Sequence, residues 1–222
     1  TSIPASRVYA EAGIPQIAMA TSPQYTAQGF KTTFRAMTSD TQQGGVMGSF
    51  AVGKLQAKAI AIINDRTAYG QGLADEFEKA VKAAGGNVVK REFTNDKAVD
   101  FRAILTSIKK ANADLIFFGG ADAQGGTMVA QMRELGVKAQ FVGGEMLKSP
   151  KFIELAGPSA EGTIASLAGL PLDKMPGGPG YAAKYKAKFN ADVEICSPYS
   201  YDATRVMVAA MQRADSTEPA KY

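Results

Sequence analysis

The sequence contains no histidine and only one cysteine among its 222 residues. Histidine is the commonest general base and the commonest zinc ligand, so a Ser-His-Asp or Cys-His site within this chain is excluded. The single cysteine, Cys196, cannot form an internal disulfide, and we expect it to be a small buried group rather than a reactive thiol. Lysine or glutamate chemistry stays formally possible, but we predict a protein without catalytic residues, metal or cofactor.

Dense blocks of charge and long apolar runs are also missing. The lysines are scattered and the formal net charge is only +4, which favours a solvated surface and argues against nucleic-acid binding. No apolar run approaches the roughly 20 residues that span a bilayer. No basic and apolar leader opens the sequence, which predicts that a signal peptide is absent or already removed. An apolar content of 45% allows a full core, in one large domain or two small ones.

The most informative stretch covers residues 114–126. Its apolar run ends in Gly119-Gly120, and Asp122 and a helical pattern over 127–135 follow. A short run without alternation is typical of a parallel strand that is buried on both faces. In open α/β sheets, ligands bind outside the carboxyl ends of the strands, where Ala121 and Asp122 fall. The spacing of the glycines does not match a dinucleotide-binding loop.

Most of the chain repeats this strand, loop and helix unit, which predicts an α/β protein with a doubly wound parallel sheet. A proline- and glycine-rich stretch at 171–180 precedes two helices, and the first 55 residues are less regular. The predicted strands are 14–20, 31–37, 59–63, 87–93, 114–118, 140–142 and 161–167, and the predicted helices are 3–12, 40–55, 71–84, 101–108, 127–135, 150–157, 181–189 and 201–214.

Several short motifs keep a nearly constant order and spacing from end to end. In this respect the sequence resembles the periplasmic solute-binding proteins of branched-chain amino acid (Leu/Ile/Val-type) ABC transporters. The motifs are Pro4-Ala5-Ser6, Ala20-Thr21-Ser22-Pro23, Asn64-Asp65, Tyr69-Gly70, Gly119-Gly120, Phe141-x-Gly143-x-Glu145, Ala160-Glu161-Gly162 and Tyr201-Asp202-Ala203.

The resemblance implies a type I periplasmic-binding-protein fold, in which two doubly wound parallel-sheet lobes close on a ligand like a hinged trap. On that template, residues 1–38 and 170–222 belong to lobe one and residues 39–169 to lobe two. Residues 37–40 and 166–170 are the expected hinge crossovers. Lobe one is expected to be incomplete, because the chain resembles a version of the fold that is truncated at both ends.

The resemblance also assigns ligand contacts, beginning with Glu145 and Tyr69. Glu145 is expected to pair with the ammonium group of an amino acid; the alternative is a solvated loop glutamate. Tyr69 is expected to form a wall of the cleft in lobe two; the alternative is a tyrosine that packs at the edge of a helix.

A second set of expected contacts follows the first strand. The hydroxyl of Thr21, with the backbone near Met19 and Ala20, is expected to hold the α-groups of the ligand. The alternative is a threonine that stabilises the turn before Pro23. Both interpretations stay open at this point.

Ala121 and Asp122 bear on ligand choice, because branched-chain amino acid binders resembling this chain carry an aromatic residue where Ala121 stands. Asp122 is either a helix cap or a second acid for the ammonium, in a pocket widened by the missing ring. We hypothesise that the preferred ligand is larger than leucine, or chemically different.

The function implied by the resemblance is that of an extracytoplasmic solute receptor, which binds an amino acid between its lobes and delivers it to a membrane permease. The expected protein is a monomer in the periplasm, or is secreted or lipid-anchored at the outer face of the cytoplasmic membrane. The alternative is a sensor of the same fold for amides or other small polar solutes, with a fused domain or a dimer partner.

Overall fold

A computed structural model describes residues 2–222, which form two compact units. Unit 1 comprises residues up to Ser39 together with residues 168–222, and unit 2 comprises Asp40–Leu167. The helices and strands in chain order are α1 (Ser2–Glu11), β1 (Gln16–Ala18), α2 (Pro23–Ala27), β2 (Thr33–Arg35), α3 (Asp40–Gly53), β3 (Ile60–Asn64), α4 (Ala68–Ala83), β4 (Val88–Phe93), α5 (Arg102–Lys110), β5 (Leu115–Gly119), α6 (Asp122–Glu134), β6 (Gln140–Gly143), α7 (Pro150–Ala156), β7 (Ile164–Ala165), α8 (Gly178–Phe189) and α9 (Ser197–Ala214).

Unit 2 is built on a five-stranded parallel sheet with the strand order β4-β3-β5-β6-β7. Every residue of β3 and β5 is buried, as the continuous apolar runs predict for strands covered on both faces. Alternate side chains separate into two cores. Ile63 and Phe118 belong to one core, and Ile62 and Phe117 belong to the other. The sheet is therefore covered by helices on both sides.

Helix α3 forms despite four glycines, because two of them allow it to pack closely on α4. A Cβ atom at Gly48 would lie 2.6 Å from the Cβ of Ala80 and 2.8 Å from the carbonyl oxygen of Phe77. Glycine lowers the helix propensity of the segment, but the close packing of the two backbones compensates for this. The predicted helix at 40–55 is confirmed as Asp40–Gly53.

Unit 1 contains a two-stranded parallel sheet, in which β1 pairs with β2 from Gln16 opposite Thr33 to Ala18 opposite Arg35. Tyr25 of α2 is fully buried, and its hydroxyl donates a hydrogen bond to Oε1 of Gln16 at 3.0 Å. Within residues 2–222, no helix is long and apolar enough to cross a lipid bilayer.

Three predicted strands are at least four residues longer than the strands observed. The segments 14–20 and 31–37 pair over only three residues each, and the segment 161–167 pairs over two, at the edge of its sheet. β-propensity marks residues that suit an extended conformation, but the partner decides how many of them pair. In contrast, α9 begins at Ser197, four residues before its predicted start, because Pro198 fits the first turn of a helix.

Candidate functional site

The candidate site lies at the carboxyl edge of the unit 2 sheet. The strands are parallel, so the segments that follow β3, β5 and β6 emerge at the same edge. These segments carry Tyr69 at the start of α4, Ala121 and Asp122 at the start of α6, and Glu145 directly after Gly143-Gly144. All four predicted residues of unit 2 therefore belong to neighbouring segments.

Glu145 is a buried carboxylate that contacts the hydroxyl of Tyr69. Glu145 is only 5% exposed, and the Tyr69 hydroxyl donates a hydrogen bond of 2.9 Å to the Oε2 atom of Glu145. The alternative of a solvated loop glutamate is therefore wrong. No lysine or arginine among residues 2–222 forms an ion pair with Glu145. The site thus presents a buried negative group without a protein counter-charge.

Burial raises the pKa of Glu145 above the ordinary value of a glutamate, because desolvation disfavours the charged form. The Tyr69 hydroxyl, the backbone N–H of Glu145 and the nearby Gln43 amide act in the opposite direction, because they favour the charged form. Burial also raises the pKa of Tyr69 well above its ordinary value, and the carboxylates of Glu145 and Asp40 add to this. Tyr69 therefore stays protonated at neutral pH and acts as a donor.

Gly144, the residue before Glu145, makes the contact between Tyr69 and Glu145 possible. A Cβ atom at this position would clash with the Tyr69 hydroxyl and would lie 2.5 Å from Cδ2 of Leu73. Only glycine leaves this space open. The close approach of the Tyr69 side chain thus explains why a glycine precedes Glu145 in the sequence.

Asp122 is half-buried and lies in the first turn of α6, where a carboxylate is favoured by the helix dipole. The helix begins at Asp122 itself and Ala121 occupies the N-cap position, so the interpretation of Asp122 as a helix cap is corrected. Its Oδ1 accepts from the backbone N–H of Ala123 at 2.9 Å, and its Oδ2 accepts from the hydroxyl of Ser149 at 2.6 Å. Its role as a second acid stays a prediction.

In unit 1, Met19, Ala20 and Thr21 follow strand β1, and Thr21 is only 4% exposed. Arg35 fixes this turn, and no local sequence pattern indicates that role. Its Nη1 donates hydrogen bonds to the carbonyl oxygens of Thr21 at 2.8 Å and Ser22 at 3.1 Å, and its Nη2 donates to the Thr26 hydroxyl. The turn is therefore held by its backbone, and a ligand role for the Thr21 hydroxyl stays a prediction.

Two further residues of the unit 2 site, Gln43 and Ser166, were missed in the sequence. Gln43 of α3 is 3% exposed, and Oγ of Ser166 donates a hydrogen bond of 2.7 Å to its Oε1 atom. The only sequence signal is weak: Gln43 follows Asp40 by three residues, so both lie on one face of the helix.

Two expectations concern the rest of the chain. Cys196 is half-buried just before α9, rather than fully buried. No group of three or more Cys, Asp or Glu residues in the described part of the chain, residues 2–222, is arranged to hold a metal ion.

The sequence matches the profile of the family described as periplasmic binding protein over residues 2–222. The chain belongs to the periplasmic binding protein family. Among curated relatives of this periplasmic binding protein, the Leu/Ile/Val-binding protein homolog 1 of Brucella suis biovar 1 (strain 1330) is 37% identical over 220 residues. A leucine-, isoleucine-, valine-, threonine- and alanine-binding protein of Pseudomonas aeruginosa is 31% identical over 219 residues.

Solved structures confirm the fold class of this periplasmic binding protein. A leucine binding protein from Thermotoga maritima superimposes with a TM-score of 0.90 at 28% identity, and the match covers 97% of this chain and 62% of that one. A branched-chain amino acid binding protein from Streptococcus pneumoniae, in complex with isoleucine, superimposes with a TM-score of 0.84 at 24% identity. The α/β fold is thus the type I periplasmic-binding-protein fold.

The match covers only part of each relative. It includes 98% of this chain but 58% of the length of the Brucella suis and Pseudomonas aeruginosa proteins. The chain therefore spans part of the fold of its relatives.

Proposed function

We propose that the protein is an extracytoplasmic solute receptor of an ABC transporter, which binds an amino acid and delivers it to a membrane permease. Its membership of the periplasmic binding protein family and its Leu/Ile/Val-binding relatives support the transport role. The proposal that the ligand is an amino acid depends on Glu145, which is a buried carboxylate without a counter-charge among residues 2–222.

A buried carboxylate is strongly destabilising unless a cation or several hydrogen-bond donors accompany it. Tyr69 supplies one donor, to Oε2 of Glu145. A ligand ammonium group would supply both positive charge and further donors, whereas a neutral or anionic solute would leave the carboxylate uncompensated. The chemistry of the site therefore favours a ligand with a primary ammonium group.

Recognition of the α-groups of the ligand is proposed for the turn that follows β1. Its Thr21 is buried, and Arg35 binds two of the carbonyl oxygens in the turn. Arg35 leaves the Thr21 hydroxyl and the backbone at Met19 and Ala20 available for ligand binding. A rigid turn loses little conformational entropy when a ligand binds to it.

The side chain of the ligand is proposed to be larger than that of leucine, or chemically different. Ala121 presents only a methyl group at the carboxyl edge of the sheet, next to the Asp122 carboxylate. Both oxygens of that carboxylate already accept hydrogen bonds, from Ala123 and Ser149. Asp122 is therefore proposed to act on the ligand as a fixed negative charge beside a wide pocket.

The decisive experiment is isothermal titration of the protein expressed from its complete gene. The solutes are aliphatic, aromatic and polar amino acids, simple amides and benzoate, and product analysis tests for turnover. We expect micromolar or tighter binding of one amino acid class without turnover. Tightest binding of leucine or valine would refute the proposal about ligand size. Binding of an amide, with no response to any amino acid, would favour a sensor instead and would refute the role of Glu145.

A location outside the cytoplasmic membrane and a monomeric state belong to the same proposal. Fractionation of cells that express the complete gene should release the protein with the periplasmic or surface fraction. Light scattering of the purified protein should give the mass of one chain with and without ligand. A cytoplasmic protein, or a stable dimer, would favour the sensor.

A further inference from the structure

The buried glutamine of the site, Gln43, lies between Ser166 and Glu145. Its Oε1 accepts the hydroxyl hydrogen of Ser166 at 2.7 Å, and its amide faces the Glu145 carboxylate. Its Nε2 is buried and makes no hydrogen bond of normal geometry to a protein atom. The Gln43 side chain is thus fixed at its oxygen. Its amide N–H groups lie near the Glu145 carboxylate without forming a hydrogen bond of normal length and angle.

The orientation of the amide follows from electrostatics. The reversed amide would place Oε1 against the Glu145 carboxylate, where two negative groups repel each other. The Ser166 hydroxyl donates to Oε1 and so stabilises the orientation in which the two N–H groups face the acid. Ser166 is fixed in turn, because its backbone N–H donates to the carbonyl of Gly143 at 3.1 Å, two residues before Glu145.

We propose that Gln43 and Ser166 are positioning residues for the ligand ammonium, because together they fix the surroundings of the Glu145 carboxylate that would receive it. The ammonium part of this inference rests on the proposed function. Three segments meet at the acid: α4 through the Tyr69 hydroxyl, α3 through the Gln43 amide, and the residue after β7, Ser166, which holds that amide from behind. The Tyr69 hydroxyl and the nearby Gln43 amide offset part of the desolvation that burial imposes on the carboxylate.

The charged and titratable groups near Glu145 are few. Tyr69 faces it from α4 and stays protonated. The Asp40 carboxylate of α3 raises the pKa of Tyr69 further, which keeps the Tyr69 hydroxyl protonated. Removal of the Gln43 amide would therefore leave the Tyr69 hydroxyl as the remaining side-chain donor to Glu145 within the described residues.

The experiment measures the pKa of Glu145 directly in the unliganded protein, expressed from the complete gene. The side-chain carboxyl carbons are followed by NMR between about pH 4 and pH 8, and the Glu145→Gln variant identifies the resonance. In Gln43→Met, we expect the midpoint to rise by about one pH unit, which is a tenfold change in proton affinity. Ser166→Ala should shift it in the same direction by less, since Gln43 remains.

The matched control is Gln131→Met, which removes another buried glutamine of unit 2. Gln131 bonds the backbone of Val99 and Phe101 and has no hydrogen bond to Glu145. We expect this variant to lose stability without a shift of the Glu145 midpoint. An unchanged midpoint in Gln43→Met would overturn the inference, and so would an equal shift in Gln131→Met.

A second measurement separates this inference from the proposed function. The affinity for leucine, used as a probe with an ammonium group, is titrated against pH. If Gln43→Met raises both the pH midpoint of leucine affinity and the NMR midpoint of Glu145, the inference and the proposed function are both supported. If the NMR midpoint moves but neither leucine nor any other amino acid binds, the proposed function fails and the control of the Glu145 charge by Gln43 stands.

Discussion

Replacement of Glu145 by glutamine should weaken amino acid binding and stabilise the unliganded protein at the same time. The substitution keeps the shape of the side chain and an oxygen that can accept from Tyr69, so the charge is the main change. Loss of one partner of a buried charge pair costs about 2–5 kcal/mol. We therefore expect the Kd for the best amino acid of the panel to rise roughly 30- to 5000-fold.

The stability arm follows from the raised pKa of Glu145. A carboxyl group with a raised pKa in the folded state binds its proton more tightly there than in the unfolded chain. Its contribution to stability is fully present below the ordinary pKa of glutamate and is lost as the pH rises through the folded pKa. At pH 7 the ionised, buried group is therefore unfavourable, and glutamine removes the effect.

Thermal unfolding without ligand measures this arm. Glu145→Gln should melt at a higher temperature than the wild type at pH 7, with roughly 2–4 °C for each kcal/mol gained. The difference should disappear towards pH 4, where the wild-type carboxyl is protonated. The exposed Glu161 provides a control, because Glu161→Gln should change neither the Kd nor the melting temperature.

The two arms together separate a functional charge from a structural one. A variant that is merely misfolded loses binding and stability together, whereas the expected variant loses the first and gains the second. A rise in Kd equivalent to less than about 1 kcal/mol would refute the reasoning, because surface ion pairs already account for a change of that size. A lower melting temperature at pH 7 would refute the assignment of the raised pKa.

Three other substitutions test separate parts of the structure. Tyr69→Phe removes the donor to the site carboxylate and should weaken binding by about 1.5–3 kcal/mol; an unchanged Kd by titration would contradict the hydrogen bond. Arg35→Met releases the carbonyl oxygens of the turn at Thr21 and should raise the Kd on the order of tenfold, with wild-type affinity as the opposing result. Gly48→Ala places a methyl group against α4 and should destabilise unit 2 by about 1–3 kcal/mol in urea unfolding. The control Gly45→Ala places its methyl group in open space and should be neutral or stabilising. Equal effects of the two substitutions would refute the packing argument.

The sequence predicts the sheet of unit 2 well, because its strands are buried on both faces. Strands β3 and β5 are continuous apolar runs between clear loops, and both are confirmed within two residues. A short apolar run is sufficient to predict a buried parallel strand, because few other structures bury every side chain of a short segment. In unit 1, the strands β1 and β2 are only three residues long, and no local pattern shows where pairing ends.

The site is only partly predictable for a related reason. Tyr69 and Glu145 stand next to glycines after apolar strands, so their place at the carboxyl edge follows from the pattern. Gln43 lies in a helix among ordinary polar residues, and its partner Ser166 is 123 positions away. Nothing local distinguishes a buried glutamine from a solvated one when its environment is assembled from distant segments.

The glycines at the ends of β5 and β6 show how the fold brings Tyr69 to Glu145. Tyr69 follows β3 and Glu145 follows β6, and β5 lies between these strands in the sheet. A Cβ atom at Gly119, the last residue of β5, would clash with the carbonyl oxygen of Gly70, and one at Gly144 would clash with the Tyr69 hydroxyl. Both glycines therefore make room for the same first turn of α4, which crosses the end of β5 to reach the loop after β6. A side chain at either position would move Tyr69 away from Glu145, so these glycines belong to the site although they have no functional group of their own.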